Sequence, residues 1–414
     1  MTNPTHAADL SAAASIFQVE PAWHGLQTAG AALGLSERTL LHAGPPVGAP
    51  ANLCAPVLNA AVMAVLFEGW AATPEGAERL VLSGAVRLEP AQDRHAVVPL
   101  ADVLSPSMLL QSVGGRDGAY AVHTPLNAGN GPAMRVGQRG DDVLAHLRWL
   151  NGEFAAVLTR ALRQPLSLLD IADAAVAGGD DLHGRTPVAT RALADRLGPA
   201  LGGDAAAQRS RRFLAQSPGF FLNLWMAASR CMLRAAEGHV GSSIVTAIGG
   251  NGSTFGIQVA GLPGKWFVAP AHAPAMPHAT PDMVARGLGA IGDSAVVDAF
   301  GLGAMALDLA PETARALAPV IRPGARGLAQ RLLIADHPAF RQVRLPAVLS
   351  ARAVVARRES IMISLGVLDN TGVRGRLAGG LYEPPLAVFD AACAALDAAD
   401  RRERHGKGHH EAAE

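Results

Sequence analysis

Two hydrophobic periods divide the chain. Between 141 and 162, Leu144, Leu147, Leu150, Phe154, Val157, Leu158 and Leu162 recur mostly every three or four residues. That spacing lays one apolar stripe along a helix, and Asp141 and Asp142 stand where the positive end of its dipole favours acids. Helical patterns follow over 166–176 and 190–201, so 141–235 reads as mostly α-helical. The period then shortens. Phe255, Ile257 and Val259 alternate with Gly256 and Gln258, after an apolar run over 243–248. Asn251-Gly252 between two such runs is a hairpin signal, and 265–269 reads as a third strand.

Elsewhere the pattern is coarser. The run over 57–70 is too long and continuous for a surface strand and reads as a buried helix. A short helix over 77–83 precedes Gly84, and 88–107 reads as strand and loop. Later helices are expected over 295–306, 313–318 and 385–397, and a strand over 361–365. Residues 1–20 read as a loose arm, and 401–414, charged and without apolar period, as disordered. The organisation expected is an arm (1–20), an N-terminal α/β region (21–140), a mostly helical insert (141–235), a C-terminal α/β region (236–400) and a tail (401–414). The fold class is α+β, mixed α/β regions with a small helical domain inserted between them.

Composition narrows the function classes. Lys+Arg and Asp+Glu are 35 each in 414 residues, half of them hydrophobic. Net charge of zero argues against nucleic acid as a partner but leaves room for a small anion held by a few arginines. Cys54, Cys231 and Cys393 are too few and too scattered for a disulfide framework or a zinc site, which fits a reducing compartment. The first ten residues carry no signal-peptide pattern. The longest apolar run, 55–67, is too short to span a bilayer and contains Asn59. A cytoplasmic protein without metal, cofactor or membrane partner is expected.

Several motifs carry candidate chemistry. Gly287-Leu288-Gly289-Ala290-Ile291-Gly292 has dinucleotide-loop spacing, but the polar turn over 281–286 replaces the strand such a loop follows. Gly292-Asp293-Ser294 reads as a helix N-cap, a place compatible with anion binding. Gly179-Asp180-Asp181-Leu182-His183-Gly184-Arg185 gathers two carboxylates, an imidazole and a guanidinium, enough to orient a general base or clamp an anion; a capped loop with a surface ion pair is the plainer reading. Gln92-Asp93-Arg94-His95 and Ser105-Pro106-Ser107 form a polar loop in which His95 alone is more often a structural hydrogen-bonder. His239-Val240-Gly241-Ser242-Ser243 and Gly250-Asn251-Gly252-Ser253-Thr254 expose backbone N–H groups that could make anion nests, the second being equally a simple turn. His405, His409 and His410 read as solvated.

Taken together, collinear stretches resemble one family. They include Leu41-His42-Ala43-Gly44-Pro45-Pro46, Phe67-Glu68-Gly69-Trp70-Ala71, His95-Ala96-Val97, Ser105-Pro106-Ser107-Met108 and Leu147-Arg148-Trp149-Leu150. Further on come Gly179-Asp180-Asp181-Leu182-His183, Phe220-Phe221-Leu222-Asn223-Leu224, the stretch 238–270, Ile291-Gly292-Asp293-Ser294-Ala295, and Gly379-Gly380-Leu381 with Pro384-Pro385. From about residue 20 to 395 the chain resembles the YlbE-like family, the domain of unknown function numbered 1116. The resemblance implies an α+β fold with a helical insert. In some members it also implies one subunit of a three-subunit oxamate carbamoyltransferase, which interconverts oxalurate plus phosphate with oxamate plus carbamoyl phosphate in anaerobic allantoin breakdown. Two departures stand out: Gln92-Asp93-Arg94 replaces a His-rich run, and Gly184-Arg185-Thr186 replaces an Asn-Arg-Asn-like stretch. They point toward a divergent paralogue with another substrate or reduced activity.

Carbamoyl transfer needs donors for a carboxylate and a phosphate, a cradle for a tetrahedral oxyanion, and a proton for the leaving nitrogen. The acid–base candidates are His183 and His95, with Asp180 or Asp181 orienting His183. Candidate anion holders are Arg185, Lys265 and the backbone at Ser242 and Asn251-Gly252, with Asp293-Ser294 at a helix start. Asn223 and Asn251 could read a carbonyl or amide. The expected partners are a small anionic ureido or carbamoyl substrate, partner subunits of a complex, and, compatibly with these, further copies of the chain. Two other readings are a non-catalytic scaffold subunit and a stand-alone amidohydrolase-like enzyme acting on a ureido compound.

Overall fold

The computed structural model describes residues 4–410, with side chains from 7 to 402, and has an α+β architecture. Its two largest sheets are both four-stranded. In the first, Val122–Pro125, Leu109–Gly114, Ala22–Thr28 and Leu166–Ser167 run side by side, each antiparallel to the next. In the second the order is Leu262–Pro270, Thr254–Val259, Val245–Asn251 and Ile291–Gly292, again antiparallel. A smaller sheet pairs Thr39–His42 in parallel with Arg87–Pro90, and the crossover between them is made by the helices Ala55–Glu68 and Pro74–Leu82. Val103–Leu104 joins the other edge of Thr39–His42 antiparallel, and two hairpins complete the strands, Leu333–Asp336 with Pro346–Leu349 and Ile363–Leu368 with Arg376–Tyr382.

The helix Phe221–Arg234 joins the two large sheets. It is buried along almost its whole length and touches both Leu109–Gly114 and Val122–Pro125 on one side and Val245–Asn251 on the other. A helix enclosed in this way must be apolar on nearly every face, so polar residues placed on it carry information. Asn223 near its start and Arg230 near its end are both buried.

The insert is helical, as its period predicts. Asp141–Trp149 and Ala155–Ala161 are continuous through a π-helical stretch at Leu150–Phe154. Trp149, Phe154, Phe213 and Phe220 form an edge-and-stack aromatic cluster beneath it. The hairpin at Asn251-Gly252 also forms where expected.

Both chain ends differ from the sequence reading. Pro4–Phe17 is a helix and not a loose arm: Ala12, Ala13 and Ile16 enter the main core. Asp9 anchors it, accepting from Ser242 Oγ (2.9 Å), Ser243 Oγ (2.8 Å) and Ser350 Oγ (3.0 Å). Alanine-rich composition hid a docked helix because small side chains leave a weak apolar stripe. At the other end Leu386–His410 is one helix, so the expected disorder from 401 is replaced by helix as far as His410; 411–414 lie outside the described residues. The rings of His405, His409 and His410 fall outside the described side chains.

Candidate active site

One cavity, of about 300 Å³, lies where the segments Pro99–Leu100, Ala128–Asn130, His183–Gly184, Pro218–Asn223 and Ser364–Gly366 converge. It is floored by polar groups. Arg135, His183, Asn223, Ser294, Ser364 and Arg376 all line it.

His183 is the best-defined group. Its Nδ1 lies 2.6 Å from Asp298 Oδ2, and both side chains are buried. A carboxylate only accepts, so Nδ1 carries the proton and Nε2 presents its lone pair. No protein group among the described residues bonds Nε2. Asp298 is itself held, its Oδ1 accepting from the Ala304 N–H (2.8 Å) and the Ser364 N–H (3.1 Å). Burial pushes the Asp298 carboxyl up, against the opposing pull of His183 and these backbone donors. Gly303, at φ 57°, allows the close approach, since a Cβ there would strike both the Asp298 carboxylate and His183.

The loop that aims His183 is strained and tied down. Leu182 has φ 59°, a left-handed conformation costing a non-glycine residue roughly 1–2 kcal/mol. Asp181 holds it there. Its Oδ1 accepts from the His183 N–H (2.7 Å) and the Arg185 N–H (3.1 Å), and its Oδ2 from Thr313 Oγ1. Asp180 instead accepts from the Ala189 N–H (2.9 Å) in the first turn of Pro187–Leu197. The expected partnership of Asp180 or Asp181 with the imidazole is therefore corrected: these two shape the backbone, and Asp298 holds the ring. The sequence signal for Asp298 was a lone acid inside Ala-Val-Val-Asp-Ala-Phe, the only polar side chain of the buried helix Ala295–Phe300.

Two arginines bring positive charge. Neither Arg135 nor Arg376 makes an ion pair with any carboxylate among the described residues. Arg135 donates from Nη2 to Gly129 O (2.5 Å), and its Nη1 is buried without a partner. Arg376 donates from Nε to Ala378 O (3.2 Å). Burial lowers both guanidinium groups from their ordinary value; at Arg135 the charge of buried Asp102 pulls back up and that of Arg376 pushes further down. A buried guanidinium with an unfilled N–H is a costly feature that an incoming oxyanion would relieve. Both were missed in the sequence, lying in a Gly-rich loop and an irregular strand without motif context.

The remaining candidates lie elsewhere. Ser294 lines the cavity but makes no side-chain cap. Asp293, expected as a cap, is a buried bolt: it accepts from the Gly44 N–H (2.9 Å), the Val98 N–H (3.0 Å) and Gln92 Nε2 (2.7 Å). Asn223 reaches the cavity while its Nδ2 donates to Pro125 O (2.9 Å). Arg185 pairs with Glu312 on the surface at 2.7 Å. Asn251 is spent on its own turn, donating to Pro45 O and Thr254 Oγ1 and accepting from the Ser253 and Thr254 N–H groups, with Gly252 at φ 89°. Ser242 is bonded to Asp9. Lys265 sits over the Phe267 ring at 5.2 Å. His95 is exposed at φ 57°. None of Asn251, Gly252, Ser242, Lys265 and His95, nor Arg185, lines the cavity. The Gly287–Gly292 run connects the helix Pro281–Arg286 to the strand Ile291–Gly292, which is not a strand-to-helix phosphate loop. Among the described residues, no group of three or more His, Cys, Asp and Glu side chains could hold a metal ion. No helix among them is long and apolar enough to cross a membrane.

Comparison with known proteins supports the oxamate carbamoyltransferase link in the resemblance seen in the sequence. The family model described as oxamate carbamoyltransferase subunit AllG matches residues 86–294. The oxamate carbamoyltransferase subunit AllG of Escherichia coli (strain K12) is 31% identical over 406 residues, covering 92% of this chain and 95% of that protein. The chain belongs to the AllG family. The uncharacterized protein YahG of the same strain is 28% identical over 407 residues, covering 93% of this chain and 84% of YahG. A crystal structure of a conserved protein of unknown function from Enterococcus faecalis V583 superposes with a TM-score of 0.88 at 26% identity. It covers 95% of this chain and 98% of that one. The segment matched by the AllG family model carries Arg135, His183, Asn223 and Ser294, while Ser364 and Arg376 reach the same cavity from beyond it and Asp298, also beyond it, bonds the His183 ring.

Proposed function

We propose that this chain acts as an oxamate carbamoyltransferase-type subunit and that the His183 cavity handles the transferred carbamoyl group. The observation that carries the reading is the meeting, in one small cavity, of an Asp-oriented imidazole with a free Nε2 and two arginines that make no ion pair among the described residues. Arg135 and Arg376 would hold the carboxylate of an oxamate or oxalurate molecule, or the attacking phosphate. In the phosphorolytic direction a phosphate oxygen attacks the ureido carbonyl carbon, and the new C–O bond forms as the C–N bond to oxamate breaks. His183 Nε2 takes the phosphate proton and returns it to the departing nitrogen, while Asp298 steadies the imidazolium that forms in between. Asn223 and Ser294 stand beside this point and would meet the amide and the carbonyl oxygen. A three-subunit assembly with partner chains, and a cytoplasmic setting, belong to the same reading.

The test is thermal melting of the purified chain against oxalurate, oxamate, carbamoyl phosphate and phosphate, repeated on R376Q. A ligand at about 100 times its Kd raises apparent stability by about 2.7 kcal/mol. An upward shift with oxamate or carbamoyl phosphate that R376Q abolishes supports the reading. Equal shifts in both proteins would move the site away from this cavity. Absence of any shift in the chain alone, and in the chain reconstituted with its partner subunits, would leave this cavity without the role.

A further inference from the structure

A second basic cluster lies outside the cavity. Arg230 and Arg234 stand four residues apart on one face of Phe221–Arg234, a spacing at which like charges repel. Arg230 is 1% exposed, and its Nε and Nη1 have no hydrogen-bond partner; only Nη2 is used, donating to Glu237 Oε1 at 2.6 Å. Arg234 donates from Nη1 to Ala121 O (2.6 Å), its Nε is likewise unfilled, and its nearest carboxylate is the same Glu237, at 3.8 Å. Among the described residues Glu237 is the one carboxylate in ion-pair range of either guanidinium, and three buried N–H-bearing nitrogens are left without a hydrogen-bond partner.

His95 completes the cluster. Its backbone is bonded to His123, two residues from the Ala121 carbonyl that Arg234 holds, and partial burial first, then the charges of Arg234 and Arg230 against Glu237, hold its ring below the ordinary histidine range. The residue is fixed at φ 57° by a backbone clamp: the His123 N–H donates to His95 O (3.0 Å), and the Val97 N–H to His123 O (2.9 Å). Its ring nitrogens have no protein partner, and it is exposed, so it marks the solvent side of the cluster. Buried donors left unfilled cost roughly 1–3 kcal/mol each, a cost that a bound anion removes. None of the three residues lines the His183 cavity.

We propose that Arg230, Arg234 and His95 form a second binding site, separate from the His183 cavity, for a small oxyanion bearing a phosphate or carboxylate group. The site stands whether or not the carbamoyl-transfer reading of the cavity does. Glu237 is then the resident competitor that a ligand displaces.

The test follows the His95 ring signal of the full chain by NMR, assigned with H95Q, during titration with inorganic phosphate and separately with acetate. The signal should move and saturate with at least one of them, phosphate alone marking a phosphoryl site and both a general carboxylate site. R234Q should weaken the fitted affinity roughly tenfold, R376Q should leave it unchanged, and E237Q should strengthen it. A His95 signal that neither anion moves overturns the proposal. So does an R234Q affinity equal to wild type, or an R376Q affinity as weak as R234Q. Should R234Q fail to fold, E237Q decides by sign, since a merely structural Glu237 would give lower thermal stability with no gain in anion affinity.

Discussion

Asp293 stands just before a short helix and Asp298 within it, and both are completely buried, yet they do different work. Asp293 spends its oxygens on the backbone of Gly44 and Val98 and on Gln92, tying a Gly-Pro loop, an N-terminal segment and the central sheet together. Asp298 spends one oxygen on backbone N–H groups and turns the other to the His183 ring at the wall of a cavity. The same residue type at the same burial is a rivet in one place and the holder of an imidazole in the other. The difference lies in what the second oxygen meets. Where it meets only amides, the carboxylate holds segments in register. Where it meets an imidazole whose far nitrogen is open, it sets the tautomer of a group that can move a proton.

Mutation can break this contrast, and the largest expected effect is at the imidazole. H183A should lower turnover by about two to four orders of magnitude while leaving the melting temperature nearly unchanged. A variant with wild-type turnover would remove the ring from the chemistry. D298N should follow, with activity down at least about a hundredfold, because an amide turned toward Nδ1 favours the opposite tautomer. D293N should reverse the balance: turnover per folded molecule stays near wild type, and denaturant unfolding shows a loss of about 1–3 kcal/mol from one misdirected amide N–H. Equal activity losses in D293N and D298N would erase the distinction between the two carboxylates.

A pH titration sharpens it further. Burial pushes the Asp293 carboxyl up from 3.8 to about 7, against the pull of Gly44, Val98, Gln92 and Arg230. The folded state therefore binds more protons than the unfolded state across that interval, so the Asp293 contribution is fully present below about pH 4 and is lost as pH rises through about 7. Urea unfolding of wild type and D293N between these limits should show a steeper decline toward neutral pH in wild type. Parallel curves would show that Asp293 does not carry it.

The two carboxylates also show what the sequence can and cannot display. Periodicity revealed the insert helices and the Asn251-Gly252 hairpin because each depends on residues close in the chain. The family resemblance was readable for a related reason, as a collinear series of short local stretches. Long-range pairings leave no such mark. His183 was visible as part of a polar run, but its partner lies 115 residues away. The nearer Asp180 and Asp181 drew the assignment, although their short reach bonds them to local backbone instead. Arg135 and Arg376 are functional candidates because the fold turns both to the cavity without a direct ion pair among the described residues, a property of packing. The docked N-terminal helix was hidden for another reason: Asp9, an apparent surface acid, finds its three serines only once Ser242, Ser243 and Ser350 are brought together.

Arg185 gives the smallest expected effect and the finest test of where the cavity ends. It sits two residues after His183, and its backbone N–H bonds the Asp181 carboxylate that shapes the loop. Its side chain, however, turns outward to Glu312 at 2.7 Å, with 42% of it exposed, and does not line the cavity. A pair that open to solvent contributes about 0–1 kcal/mol. R185A keeps the backbone bond and removes only this pair, so stability should change by less than about 1 kcal/mol and kcat/KM by less than about twofold. A loss in R185A comparable to that in R376Q would mean that substrate reaches past His183 to the surface. The anion would then be read by three arginines rather than by the two that the cavity encloses.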